Sequence, residues 1–213
     1  MPQALTLTDL SIHADAPLLI VDVDEVLAHF MAGFERYVGR HGYEMRIDRF
    51  ALFQNIYRPG ETESLDFATG KALFDDFFRD GAGDLDPVDG AADALATLST
   101  KAGVVILTNA PAHALESRTG WLSTHGFDYP MILHSGLKGP TILEMSRRTT
   151  GPACFIDDLL PNLDSSAEAA PDVKRFQIIA DARLRPLAPT APDRHGLHED
   201  WATLGPALEA AVR

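Results

Sequence analysis

The chain lacks most of what a secreted, membrane-spanning or polyanion-binding protein needs. It has one cysteine, Cys154, so no internal disulfide can form. Stability must come from an apolar core, which 213 residues are long enough to build. No apolar run reaches the length of a membrane span. The opening residues, MPQALTLTDLSIHADAP, lack the basic start and apolar stretch of a secretion signal. A cytoplasmic location is therefore expected. Basic residues are scarce, 18 Lys and Arg against 31 Asp and Glu, for a formal net charge of −13. That balance argues against nucleic acid or an anionic membrane surface as a partner. It leaves room for a small phosphorylated ligand, because a bound cation can reverse the field at one site. No internal repeat or low-complexity block occurs.

What is present is a recurring alternation. Apolar runs of strand length end at polar residues: Pro17 to Val21 before Asp22, Val104 to Leu107 before Thr108, and Ala153 to Ile156 before Asp157. Met131 to Leu133 is a shorter run, and Phe176 to Ala180 precedes Asp181. Runs without polar alternation suit strands buried on both faces of a parallel sheet. Helix-forming stretches separate them, at 91–101, 111–125, 139–150, 161–170 and 199–212. The pattern predicts an α/β fold, a three-layer Rossmann-like core on a parallel sheet. The segment 183–198, rich in Pro and Arg, reads as a surface loop.

One stretch interrupts the alternation. Roughly sixty residues separate the first strand from the helix before the second, far more than an ordinary crossover. Phe30, Phe34, Tyr37 and Val38 recur at helical spacing. Phe50, Phe53 and Ile56 form a shorter set, and Phe67, Leu73, Phe74, Phe77 and Phe78 a third. The expectation is a core formed by residues 1–27 and 90–213, with a small helical cap over 28–89. Most of these aromatics are expected to form the insertion's own core.

In open parallel sheets, sites form at the carboxyl ends of strands. Those ends carry Asp22 and Asp24, Thr108 and Asn109, and Asp157 and Asp158, while Lys138 opens a helix after a short strand. Converging carboxylates repel one another and call for a hard cation, for which Mg²⁺ and oxygen ligands are suited. A carboxylate beside such an ion can attack phosphorus, and a second acid two residues on can protonate the leaving oxygen and then activate water. Strand geometry would turn Asp24 to the opposite face from Asp22, so the chain must leave it directly after Asp22. Taken singly, Asp157 or Asp158 would equally suit a helix cap, and Lys138 a solvated surface position. Thr108 and Asn109 could serve as turn formers.

With those residues in view, LLIVDVDEVL resembles the first motif of the haloacid dehalogenase superfamily. VVILTNA resembles its second motif, Lys138 in GLKGP its third, and ACFIDD its fourth, in order from Leu18 to Asp158. The resemblance implies Asp22 as nucleophile and Mg²⁺ ligand. It implies Asp24 as general acid and base, binding the ion through its carbonyl. Thr108, Asn109 and Lys138 would hold phosphate. Asp158 would be the direct metal ligand and Asp157 would stand behind it. The insertion would be the cap that encloses small substrates. The acid at position 24 favours a phosphatase or phosphomutase over a dehalogenase. VDVDEVLAHFMAGF is locally similar to the 5′(3′)-deoxyribonucleotidases. The implied reaction is Mg²⁺-dependent hydrolysis of a small phosphate monoester, a nucleotide among the candidates, through an aspartyl-phosphate. The alternatives are a phosphomutase and a catalytically weak binder of a phosphorylated ligand.

The chain departs from the resemblance at two positions. Glu25 stands where the superfamily usually has glycine, and is expected to bring a further negative charge near the phosphate. His29 replaces an acid of the nucleotidase-like run and is the cap residue closest to the motif, a candidate substrate contact. Arg36, Arg46 and Arg58 are further cations of the insertion, expected to be exposed. Asn162 and Asp181 are candidates to support the site.

Overall fold

A computed structural model describes residues 5–213. Its centre is a six-stranded parallel sheet. In chain order the strands are β1 (Leu18–Val21), β4 (Gly103–Asn109), β5 (Met131–His134), β6 (Ala153–Asp157), β7 (Lys174–Ile178) and β8 (Gly196–His198). Strands β2 (Glu44–Met45) and β3 (Ile56–Tyr57) form a separate antiparallel ribbon. Across the main sheet the order is β5-β4-β1-β6-β7-β8. The chain thus leaves β1 on one side for β4 and β5, then returns to the other side for β6. This reversal opens a crevice at the carboxyl ends of β4, β1 and β6.

The unbroken apolar runs follow from burial of both faces. Leu19 and Val21 of β1, Val104 and Ile106 of β4, and Cys154 and Ile156 of β6 belong to one core cluster. The alternate residues Leu18, Ile20, Val105, Leu107 and Phe155 belong to a second. Helices α3 (Ala91–Leu98), α4 (Leu115–Thr124) and α7 (Trp201–Ala211) supply Leu95, Trp121 and Leu204 to the first cluster. Helices α5 (Gly139–Ser146) and α6 (Leu160–Ala169) supply Ile142, Met145 and Leu163 to the second. Three layers result, each face of the sheet covered by helices.

Between β1 and α3 the chain forms α1 (Phe30–Arg40), the β2–β3 ribbon with a 3-10 turn at Phe53–Asn55, and α2 (Phe67–Asp80). Phe30, Phe34, Phe74, Phe77 and Phe78 pack ring on ring, with Phe30 and Phe77 5.5 Å apart and Phe74 and Phe78 4.8 Å apart. Two elements differ from the sequence expectation. The set Phe50, Phe53 and Ile56 does not form an α-helix. Phe50 lies in a loop, Phe53 in the 3-10 turn and Ile56 at the start of β3, and the buried Asn55 shapes the stretch by donating from its amide to the carbonyls of Arg49 and Ala51. The segment 183–198 is not wholly loop. It contains a 3-10 turn at Arg185–Leu187 and the edge strand β8 beside β7. Among the described residues, no helix is long and apolar enough to cross a membrane.

Candidate active site

β1 stops at Val21, and the backbone then curls tightly. The amides of Val26, Leu27 and Ala28 all donate to the Val23 carbonyl, at 3.2, 2.8 and 2.9 Å. Glu25 sits in the left-handed region at φ 59°, alone among the described non-glycine residues. This curl is the departure from strand geometry that the spacing of Asp22 and Asp24 requires, and both line the same cavity. Buried Trp201 steadies the curl by donating from its indole to the Val26 carbonyl at 2.8 Å.

Glu25 does more than turn the chain. Its carboxylate accepts from the amide of Met31 in the first turn of α1 and from the amide of Asp181 beyond β7, each at 2.7 Å. His29 at the α1 N-cap makes no side-chain cap bond, so Glu25 satisfies an orphan donor there and lies at the positive end of the helix. The Glu25 carbonyl also accepts from Ala180 at 2.9 Å. The residue therefore ties β1, the insertion and the β7 loop together. Burial pushes its carboxyl up to about 7, against the pull of the two amides. The added negative charge expected from the sequence is near the cavity, with its oxygens engaged by backbone.

Lys138 is the N-cap residue of α5 and fully buried. Its Nζ stands 2.7 Å from Asp22 Oδ1 and 2.6 Å from Asp157 Oδ2. Close helix packing carries it there. A Cβ on Gly139 would lie 2.2 Å from the Ser165 carbonyl of α6, so only glycine lets α5 begin against that backbone. The two carboxylates hold the lysine above its ordinary range, against the effect of burial.

Asp157 is fully buried at the end of β6 and accepts from Asn162 Nδ2 at 3.1 and 3.2 Å and from the Leu159 amide at 2.9 Å. Asp158 lines the cavity, and its carbonyl accepts from Gln177 of β7 at 2.8 Å. Burial raises both carboxyls, Asp158 further because Asp157, Asp22 and Glu25 add like charge. Asp22, Asp157 and Asp158 offer oxygens within 4.8 Å of one another. Despite the nearby lysine, Asp22 Oδ1 has no hydrogen bond of good geometry. Three buried acids facing one lysine form a donor set that fits a hard cation.

Thr108 is buried on β4 with its hydroxyl unpartnered, and it is not among the cavity-lining residues. Asn109 reaches the cavity, yet its amide is used locally, donating to the Gly136 carbonyl at 3.0 Å and meeting His134 at 3.1 Å. His29 is not among the cavity-lining residues. It lies close enough to Asp181 to help lower that carboxyl, which burial alone would raise and which Arg183 holds down. The insertion's arginines are paired elsewhere: Arg36 with Asp86 at 2.9 Å and Arg46 with Glu44 at 2.9 Å, while Arg58 lies over Tyr43.

Sequence reasoning missed Arg118 of α4. It is buried and grips Asp24 with one nitrogen, at 2.8 and 2.9 Å from the two oxygens, while its guanidinium carbon lies 5.2 Å from the Phe78 ring centroid. Burial raises the Asp24 carboxyl, and Arg118 opposes that rise. Nothing local marked this residue, because its partner is 94 positions away.

The sheet order, the paired strand-end acids and the buried lysine define a phosphohydrolase fold of the haloacid dehalogenase type. Solved structures agree on the fold. A magnesium-bound HAD-hydrolase, YfnB from Bacillus subtilis, aligns with TM-score 0.59 and 14% identity, covering 91% of this chain and 99% of its own. A haloacid dehalogenase-like family hydrolase from Streptococcus pneumoniae aligns with TM-score 0.57 and 14% identity, covering 91% and 98%. A HAD-superfamily hydrolase of subfamily IA from Geobacter sulfurreducens gives TM-score 0.54 and 18% identity over 93% and 99%. No curated protein sequence matches at a significant level. Residues 16–168 match the family described as 5′ nucleotidase, deoxy (Pyrimidine), cytosolic type C protein, and the chain belongs to that family. It is a phosphoric monoester hydrolase by class.

Proposed function

We propose that the protein hydrolyses a small phosphate monoester with the help of Mg²⁺, through an aspartyl-phosphate on Asp22. The observation that carries this reading is the convergence of Asp22, Asp157 and Asp158 at the ends of β1 and β6, with Lys138 Nζ bridging Asp22 and Asp157. Asp22 and Asp158 face the cavity and would hold the ion together with the Asp24 carbonyl, with Asp157 behind them in contact with Lys138 and Asn162. When bound, Mg²⁺ would cancel the repulsion between these acids and the phosphate and draw electron density from phosphorus.

The chain's own groups would carry the rest. The Asp22 carboxylate attacks phosphorus, the P–O bond to the substrate alcohol breaks, and Asp24 gives its proton to the departing oxygen. Asp24 then takes a proton from water, which attacks the acyl phosphate, releases inorganic phosphate and restores Asp22. Lys138 orients Asp22 and offsets charge on the phosphoryl oxygens. The unpartnered Thr108 hydroxyl, next to the cavity-lining Asn109, would be a donor for one of those oxygens. Arg118 aims Asp24.

Residues 28–89 would act as a cap over this crevice. They meet the core through polar contacts on one side: His113 with the Asp75 carbonyl at 3.0 Å, Ser117 with that of Phe78 at 3.0 Å, and Trp121 with that of Leu85 at 2.7 Å. The test is phosphate release from p-nitrophenyl phosphate, nucleoside monophosphates and sugar phosphates, with Mg²⁺ and with EDTA. Metal-dependent release is expected. No release from any compound, in protein shown to bind Mg²⁺, would overturn hydrolysis in favour of a mutase or a binder.

A further inference from the structure

Lys138 reaches the acids from the end of an exposed segment. Ser135, Gly136 and Leu137 join β5 to α5, and Gly136 turns the chain in the left-handed region at φ 87°. A side chain of β4 crosses to this turn: Asn109 Nδ2 donates to the Gly136 carbonyl at 3.0 Å. Asn109 stands level with His134 in the parallel register of β4 and β5, and its Oδ1 lies 3.1 Å from His134 Nδ1. These contacts settle which atoms donate. The Gly136 carbonyl only accepts, so the Asn109 nitrogen faces it and the Asn109 oxygen faces the ring. His134 Nδ1 must then carry the proton. Burial and the Lys138 charge keep the ring below its ordinary range, so near pH 7 it is neutral and spends its single N–H on Asn109. Asn109 lines the cavity, and His134 is not among the lining residues.

We infer that His134 is a positioning residue for the reaction: through Asn109 it holds the Gly136 turn, and with it the Lys138 ammonium between Asp22 and Asp157. The inference rests on the phosphohydrolase reading and adds to it a residue outside the cavity. Asn109, which the motif resemblance puts on the phosphate, is by its contacts the link between His134 and the turn. Lys138 is fixed from both sides. After it, the Gly139 amide donates to Ser165 Oγ at 3.2 Å, which seats α5 against α6. Before it stands the turn that Asn109 pins. Lys138 Nζ lies 2.7 Å from Asp22 Oδ1 and 2.6 Å from Asp157 Oδ2, so a displacement of about 1 Å takes one or both contacts out of hydrogen-bond range. A misplacement of that size at the reacting groups costs up to about a hundredfold in rate.

The test compares His134→Phe, which keeps a ring and loses the donor, with His134→Asn, whose amide nitrogen can stand where Nδ1 stood. Two quantities are read in variants whose melting temperatures show them folded. One is turnover of p-nitrophenyl phosphate with Mg²⁺. The other is acetylation of Lys138 in metal-free protein, mapped by mass spectrometry with the exposed Lys71 as internal control. His134→Phe should lower kcat about tenfold while KM changes less than about threefold, and should open Lys138 to acetylation. His134→Asn should recover most of the kcat and the protection of Lys138. Asn109→Ala should match His134→Phe in both readouts, and adding His134→Phe to it should change neither further. A folded His134→Phe with the parent's kcat, or with Lys138 as protected as in the parent, would overturn the inference. So would an undiminished effect of His134→Phe in the Asn109→Ala background. Should His134→Phe not fold, Asn109→Ala decides: a fall in kcat with Lys138 still protected would return Asn109 to the phosphate and overturn the inference. If the parent hydrolyses no ester, the phosphohydrolase reading falls, and the acetylation pattern alone decides whether His134 holds the lysine.

Discussion

Replacing Glu25 with glycine should destabilise the protein, although glycine is the residue that suits its backbone. At φ 59° a non-glycine residue bears a left-handed strain of about 1–2 kcal/mol, which Glu25→Gly would relieve. Against this stand two bonds from the Met31 and Asp181 amides to one carboxylate, both at 2.7 Å. Hydrogen bonds to a charged group contribute about 1.5–3 kcal/mol each. The lower end applies here, because burial offsets part of the gain and holds the carboxyl at about 7. A loss of about 3 kcal/mol less a relief of about 1–2 leaves a net cost of about 1–2 kcal/mol. In a chain of this size that lowers the melting temperature by roughly 2–8 °C. Glu25→Gln keeps the strain and trades one acceptor for a donor facing a donor, so it should fall at least as far. Thermal melts followed by circular dichroism would measure both. A glycine variant as stable as the parent, or more stable, would refute the role assigned to this residue.

Other expectations follow from the same geometry. Arg118→Met should lower kcat by about tenfold or more with little change in KM, because Asp24 loses its aim. In an Asp24→Asn background the same substitution should change kcat much less, and an undiminished effect there would show that Arg118 acts through folding alone. Asp158→Asn should abolish the rise in melting temperature that Mg²⁺ gives the parent, a rise equivalent to about 2.7 kcal/mol when the ion is at a hundredfold its Kd. Without metal the parent should melt lower than this variant, because the substitution removes one of the clustered buried charges. Burial pushes the Cys154 thiol up to about 11, so at pH 8 only about one thiol in a thousand is ionised. An aromatic disulfide reagent should therefore modify it only after unfolding, and fast labelling of the folded protein would contradict its place in the core.

Much of this fold could be read from residue patterns because the physics behind them is local. Val104 to Leu107 and Ala153 to Ile156 are apolar without alternation because both faces of the sheet are covered, and alternate residues enter different clusters. Strand ends are then marked by the first polar residue, which is how Asp22, Thr108 and Asp157 could be set at one edge. Other features depend on partners far along the chain. The Glu25 carboxylate meets the amide of Asp181, 156 residues away, and no pattern near Glu25 announces it. Arg118 sits in a helix that reads as ordinary, and its burial follows from Asp24 and Phe78. Phe50, Phe53 and Ile56 have helix-like spacing, but the Asn55 amide favours a turn by binding two backbone carbonyls. Gly196–His198 forms a strand because β7 offers an open edge, not because those residues favour one.

The proposed chemistry turns on the Asp22 carboxylate as the nucleophile. Turnover by Asp22→Asn beside the parent tests it most directly, with Mg²⁺ present and with melting temperatures recorded for both. The variant should fold, and its phosphate release should fall to the level of buffer alone. Release at the parent's rate from a folded Asp22→Asn protein would contradict it.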